Sequence, residues 1–260
     1  MKKILSFIYG VVSYLIFFGT FLYAIGFTGN LFVPKSIDGE PTSPLGIALL
    51  VNASLLLVFA LQHSIMARPA FKKWWTRIVP EPVERSTYVL LASLCLMLMM
   101  WQWQPIGGVV WSVENAGVKA ALQILSFAGW GIVLASTFLI NHFDLFGLRQ
   151  VWLYASGKDY TPLPFRVPLF YRFVRHPLYL GFLVAFWSTP HMTVAHLLFA
   201  LLTTGYILTA IQLEEKDLQV HFGNKYRNYK KLVPMILPIG KKKKKVSAFD
   251  ISEALVDHGS

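Results

Sequence analysis

Charge is what this sequence has least of. Of its 260 residues 14% are Asp, Glu, Lys or Arg, against roughly 25% in a soluble domain, and acidic residues are the scarcer kind, 13 against 24 basic. A chain so poor in charge cannot clothe a water-facing surface, which excludes an ordinary soluble protein. Cysteine is nearly absent as well. The single Cys95 excludes an intrachain disulfide and a multi-cysteine zinc site. No two histidines stand at the i, i+4 spacing of a helical metal site, so no metal is expected. There is no GxxxxGK phosphate loop, and Gly129-Trp130-Gly131 lies inside an apolar run instead of between a strand and a helix, which excludes P-loop and Rossmann-type nucleotide domains. No internal repeat is present.

What is present is apolar residues, 55% of the chain, gathered into runs that match the ~20 residues needed to cross ~30 Å of hydrocarbon. The runs 4–27, 45–66, 87–103 and 118–140 carry no Lys, Arg, Asp or Glu apart from Lys119 at the edge of the last. The first follows Lys2 and Lys3 as a signal peptide would, but it is longer than the usual apolar core and no cleavage site follows, so it is read as a span. Cys95 falls inside the third, as a small buried hydrophobe. The segment 177–213 has no charge over 37 residues and would reach ~55 Å as one helix at 1.5 Å per residue, too long for one crossing. Thr189-Pro190 interrupts it, and the residue before a proline disfavours helix, so the pattern predicts a helical hairpin with a short arm over 178–188 and a longer one over 193–213. The fold class is therefore an all-α polytopic membrane protein: four transmembrane helices, a C-terminal transmembrane hairpin and a cytoplasmic amphipathic helix. Three regions follow: 1–140 as a four-span bundle, 141–238 as loop, hairpin and amphipathic helix, and 239–260 as a polybasic mobile tail.

Cytoplasmic loops carry the excess of Lys and Arg. With both termini in the cytoplasm, 22 of the 24 basic residues fall inside and only Lys35 and Lys119 outside. A single crossing over 177–213 would put the basic tail on the wrong side. The net charge of +11 is thus mainly an orientation signal for a multi-pass protein, of the cytoplasmic membrane if bacterial. The run from Lys241 to Lys245 adds attraction to anionic lipid and is not read as nucleic-acid binding. Trp101, Trp103 and Trp111 near the outer boundary, with Trp74 and Trp75 near the inner, read as interfacial belts.

Ionisable side chains at span ends are costly and mark function, and in this topology they share the cytoplasmic side. Arg175-His176-Pro177-Leu178-Tyr179-Leu180-Gly181 starts a helix at Pro177, since proline is favoured at the first helical position. The free N–H groups of that start, beside Arg175 and His176, form an anion site, or in the plainer reading a basic cap at the membrane edge. Glu214-Glu215 ends the hairpin, and adjacent residues point to different faces, so one carboxylate turns inward. Leu218, Phe222, Tyr226 and Tyr229 then form a helical stripe, alternatively an interfacial helix lying on the membrane. Anion site, carboxylate and aromatic stripe together suit a zwitterionic ligand with a flat ring. His63, at the end of the second span, and Asn141-His142-Phe143-Asp144, after the fourth, supply candidate proton acceptors, with Asp144 orienting an imidazole or acting itself and Arg149 lending positive potential. His191 and His196 fall at the opposite membrane face and read as structural.

Arg175 to Gly181, Glu214-Glu215-x-x-Leu218 and the paired Tyr226 and Tyr229 resemble the integral-membrane methyltransferase superfamily that includes isoprenylcysteine carboxyl methyltransferase and the phospholipid methyltransferases. Gln62-His63-Ser64, Glu84-Arg85-Ser86-x-Tyr88-Val89 and Asn141 to Gln150 are similar to its nurim and NnrU-like branch, most of all to the thiol-methylating members. The resemblance implies S-adenosylmethionine as cofactor, held by Arg175, His176, Pro177, Tyr179, Gly181, Glu214, Glu215, Leu218, Tyr226 and Tyr229. It implies methylation of a small apolar thiol, methanethiol to dimethyl sulfide, with His63, His142, Asp144 and Arg149 as catalytic candidates. Methylation of a lipidic or prenylated acceptor, or a non-catalytic nurim-like membrane protein, are the alternatives.

Overall fold

The computed structural model describes residues 1–237; the lysine run from Lys241 to Lys245, His258 and the expected tail lie outside the described residues. The protein is an all-helical, multi-pass membrane protein. In chain order, α1 (Lys2–Gly29) and α2 (Leu45–Met66) are followed by the short α3 (Pro69–Trp75), then α4 (Glu81–Gln102), the strand β1 (Val109–Ser112) and α5 (Ala116–Ile140). Two short helices, α6 (His142–Leu145) and α7 (Leu148–Ala155), and a 3₁₀ turn at Leu169–Arg172 lead to α8 (Pro177–Trp187), β2 (His191–Thr193), α9 (Val194–Phe222) and α10 (Asn224–Leu232). Helices α1, α2, α4, α5 and α9 are long and apolar enough to cross a bilayer. The 11-residue α8 is the short arm of the hairpin. Side chains such as Leu50, Leu57 and Ile124 are fully or largely exposed, as helices facing lipid require.

Local signals place the helix ends. Pro177 opens α8 at its first position, where a missing N–H costs nothing. The side chains of Asn115, Asn141 and Thr193 accept backbone N–H bonds at the starts of α5, α6 and α9, each satisfying a donor that would otherwise be orphaned. The aromatic stripe from Leu218 to Tyr229 does not lie on one helix: α9 runs on to Phe222, and Gly223, at φ 57°, turns the chain into α10. Two further departures are small. The hairpin turn pairs with the loop before α5 as an antiparallel β1–β2 ribbon. Trp103 is no belt residue; it is fully buried and its indole N–H donates to the Ile37 carbonyl at 3.1 Å, where the chain leaves α4 and packs against Phe27 and Phe199. Trp101 is exposed as a belt residue should be, and Cys95 is half-buried.

The main core joins Phe27, Trp103, Trp130, Phe186 and Phe199, from α1, the end of α4, α5, α8 and α9. The tightest seam is between α5 and α8. A Cβ on Gly129 would sit 2.6 Å from the Ala185 nitrogen, and one on Gly181 would sit 2.7 Å from the Gly129 carbonyl oxygen. Bare backbones therefore touch here, the contact that small residues permit between membrane helices. Overpacking such a seam costs ~1–3 kcal/mol, so Gly129→Val is expected to lower the thermal midpoint of the detergent-purified protein, whereas Gly131→Ala, which meets nothing within 4 Å, leaves it unchanged in the same melt.

Candidate active site

One buried carboxylate knits the C-terminal elements. Glu215 is 2% exposed; its Oε1 accepts from Arg175 Nε at 2.7 Å and from His176 Nε2 at 3.0 Å, and its Oε2 accepts from Lys230 Nζ at 2.7 Å. Arg175 also donates from Nη1 to the carbonyls of Val233 and of Lys230. The backbone N–H groups of Arg175 and His176 donate to the carbonyls of Pro234 and Met235, at 2.8 and 3.1 Å. The start of α8, the end of α9 and α10 with its trailing segment thus converge on one acceptor. Every oxygen of Glu215 is engaged by the protein's own cations.

Glu214 is different. It leaves the helix on another face, its side chain is 42% exposed, and its Oε2 lies 3.9 Å from His176 Nδ1. Its charge reaches the hydroxyls of Tyr88, Tyr171, Tyr179, Tyr206 and Tyr226, which come from α4, the 3₁₀ turn, α8, α9 and α10. Below it, Tyr226 and Tyr229 pack with Phe165 and Val167, and Leu218 joins them. The Tyr229 hydroxyl donates to the Tyr171 carbonyl at 2.6 Å, while the Tyr226 hydroxyl is buried beside Glu215. Burial pushes both phenols above their ordinary pKa, so they are neutral donors. Tyr179 shares this face with His176, their rings 5.7 Å apart. Pro177 and Gly181 are buried in packing, Gly181 against α5.

His63 borders the same region from α2. The Tyr88 hydroxyl is 3.0 Å from its Nδ1 and 3.1 Å from its Nε2 and donates to its backbone carbonyl at 3.3 Å. One hydroxyl can bond only one ring nitrogen at a time, which leaves the other without a partner among the described residues. Phe59 stacks on the imidazole, centroids 5.3 Å apart. Ser64 meets the Tyr206 hydroxyl at 3.1 Å, tying α2 to α9, and Arg68 pairs with Asp217 at 2.9 Å.

His142 is a joint. Its Nε2 is 2.9 Å from the Tyr14 hydroxyl and its Nδ1 is 2.8 Å from Thr137 Oγ1. Thr137 donates its own proton to the Leu134 carbonyl at 2.6 Å, so it accepts from Nδ1–H, and Nε2 accepts from Tyr14. Both nitrogens are spent, Phe138 stacks on the ring at 4.2 Å, and burial holds the pKa of this imidazole below its ordinary value. Asp144 does not reach it. The Asp144 carboxylate pairs with Arg149 at 2.8 Å and accepts from the Tyr160 hydroxyl at 3.3 Å, and Arg149 also holds Thr161. This group pins the loop after α7. Close by, Gly147 at φ 87° abuts Ser86, where a Cβ would lie 2.7 Å from the Ser86 nitrogen. Of the histidines assigned to structure, His196 is buried and donates from Nε2 to the Phe186 carbonyl at 2.9 Å.

Sequence reasoning passed over Lys230, Tyr206, Tyr88 and Arg85. Lys230 is one of a basic pair with nothing to set it apart, and Tyr206 sits in an apolar run. Tyr88 and Arg85 stand in the motif Glu84-Arg85-Ser86-x-Tyr88-Val89, the one local signal that could have pointed to them.

The fold and its polar groups define a polytopic helical membrane protein with open carboxylate, imidazole and phenol groups gathered at one end of the bundle. The family model described as NnrU protein matches residues 51–214, and the chain belongs to that family. It is 59% identical over 236 residues, 90% of this chain and 92% of the relative, to a methanethiol S-methyltransferase of Crocosphaera subtropica. It is 55% identical to one of Mycobacterium tuberculosis, over 92% of this chain and 98% of the relative. Nurim of Bos taurus is 29% identical over 80% of this chain and 87% of the relative. No solved structure matches the chain at the stringency these relatives meet.

Removing one partner of a buried ion group costs ~3–5 kcal/mol, so Glu215→Gln is expected to lower the thermal midpoint sharply while Glu214→Gln moves it little; equal shifts in the melts would contradict the division between them. A depressed imidazole pKa means the folded state resists protonation. The contribution of His142 is therefore complete above the unfolded value of ~6.5 and lost as pH falls below it, and the wild-type midpoint should drop from pH 7 to pH 5 by more than that of His142→Gln.

Proposed function

We propose that the protein is an S-adenosylmethionine-dependent methyltransferase that converts methanethiol to dimethyl sulfide at the cytoplasmic membrane face. The end-to-end likeness to methanethiol S-methyltransferases carries this reading, since it spans the elements that bring Glu214, His176, Tyr179 and His63 to one end of the bundle. Cytoplasmic placement of that end is supported by the basic residues that flank it. The residues present fit the cofactor: Glu214 is a half-exposed carboxylate among phenols, suited to a cation. Glu214, Tyr179 and His176 would hold its charged end and the Tyr226 and Tyr229 region its ring, with Arg175, Pro177, Gly181, Glu215 and Leu218 building the wall behind. When bound, S-adenosylmethionine supplies an electrophilic methyl group on a sulfonium.

The chain must then activate a thiol. A poorly solvated site raises a thiol's pKa, so a base within reach is needed. Of the two candidate histidines, His63 shares one hydroxyl between its two ring nitrogens and so keeps one available, whereas separate partners engage both nitrogens of His142; this favours His63 as the proton acceptor and His142 as the joint that holds α1 on α5. Asp144 and Arg149 act on the loop, outside the reacting groups. Headspace gas chromatography of the purified protein with S-adenosylmethionine and methanethiol is expected to show dimethyl sulfide with equimolar S-adenosylhomocysteine; no product from folded protein would overturn the reading. Within it, Glu214→Gln should raise KM for S-adenosylmethionine on the order of tenfold or more, the loss of a charged contact of ~1.4 kcal/mol or more, and His63→Ala should lower kcat with cofactor binding retained. Equal loss of cofactor binding in both would refute the division of roles.

A further inference from the structure

Among the arginines the structure describes, Arg85 stands out. Arg68, Arg149 and Arg175 each meet a carboxylate at 2.7–2.9 Å. Arg85 is half-buried, as Arg68 and Arg149 are, yet no carboxylate lies within 4 Å of it and no hydrogen-bond acceptor meets it among the described residues. Its guanidinium lies over the face of Tyr88, 5.3 Å from guanidinium carbon to ring centroid. A guanidinium held by its flat side keeps its N–H edges free to donate. It stands in the first turns of α4, next to Glu84, which is taken up by Lys72 at 3.2 Å, and within electrostatic reach of His63. Tyr88 therefore braces two groups at once, the imidazole of His63 under its hydroxyl and the guanidinium of Arg85 on its ring.

Resting on the methyltransferase reading, we infer that Arg85 and His63 form an anion subsite that takes the acceptor as an alkyl thiolate, Arg85 donating to the sulfur and His63 receiving its proton. Tyr88 is the positioning residue. The S–H proton passes to a ring nitrogen of His63; a sulfur electron pair forms the new C–S bond as the sulfonium C–S bond breaks, its pair staying on the departing thioether. His63 then returns the proton to water. The other charged and titratable groups around this subsite are Arg68 from the α2 end, Tyr160 from the loop after α7, and Tyr206 and Glu214 from α9. Only Arg85 among the nearby cations lacks an anion of its own, because Arg68 is committed to Asp217.

An opposite charge within a few ångströms lowers an acid's pKa by ~1–3 units. The test binds methanethiol to the protein in the presence of S-adenosylhomocysteine, which has no methyl to give, and follows the ultraviolet difference band of the thiolate against pH. In Arg85→Gln the band is expected to need a pH ~1 unit or more above wild type, with Arg85→Lys restoring most of the shift. In turnover, Arg85→Gln should lose on the order of tenfold or more with methanethiol and clearly less with the more acidic trifluoroethanethiol. An unchanged thiolate profile in Arg85→Gln, or equal losses with both thiols, overturns the subsite and leaves Arg85 as a lipid-facing charge. If Arg85→Gln does not fold, the Arg85→Lys profile decides: a wild-type-like band supports the subsite, and no band overturns it. Wild-type protein that methylates no thiol overturns the underlying reading instead, so the two failures are distinguishable.

Discussion

The arrangement of the polar end of the bundle depends on a single carboxylate. Glu215 lies where Arg175, His176 and Lys230 converge, and without it two cations and an imidazole would share a poorly solvated corner. Buried charge is tolerated when it is paired and its remaining lone pairs are bonded, and here both oxygens are used. The consequence is geometric. The short arm of the hairpin, the long arm and α10 are locked together, and that lock sets where His176, Tyr179 and Glu214 face. Residues that look like ligand contacts from their spacing divide into those that build this lock and those left free by it.

A second constraint is the backbone contact at Gly129 and Gly181. The 11-residue α8 is too short to cross the bilayer alone, and in lipid there is little hydrophobic drive between helices. Close approach to α5 gives it dispersion contacts along its length, and Trp130, Phe182 and Phe186 pack beside the seam. Gly181 thus serves the site by placing Pro177 and the residues before it. The same logic applies to His142, whose two bonds hold Tyr14 of α1 to Thr137 of α5 and so fix the loop that carries Asp144 and Arg149.

What remains open after these joints are counted is a small set: Glu214, one ring nitrogen of His63, and the N–H edges of Arg85. Their common property is unspent hydrogen-bonding or charge capacity in a half-buried setting. A fixed cluster of that kind favours ligands that bring complementary charge.

Spans, hairpin and the gathering of polar residues at one end were readable from the sequence, because runs of apolar residues and the position of Pro177 and Pro190 act locally and each helix satisfies its own backbone. The choice between Glu214 and Glu215 was not readable. Adjacent residues on a helix differ only in direction, and which direction meets Arg175 and Lys230 depends on how α8 and α10 dock. The same holds for His142 against His63, since each stands at a span end beside polar neighbours and only the packed neighbours Thr137 and Tyr14 use up one ring's nitrogens. The sequence by itself determined the crossings and the candidate residues; the tertiary structure decided which candidates are engaged and which are free, because hydrogen-bond and charge partners come from distant segments that no local pattern records.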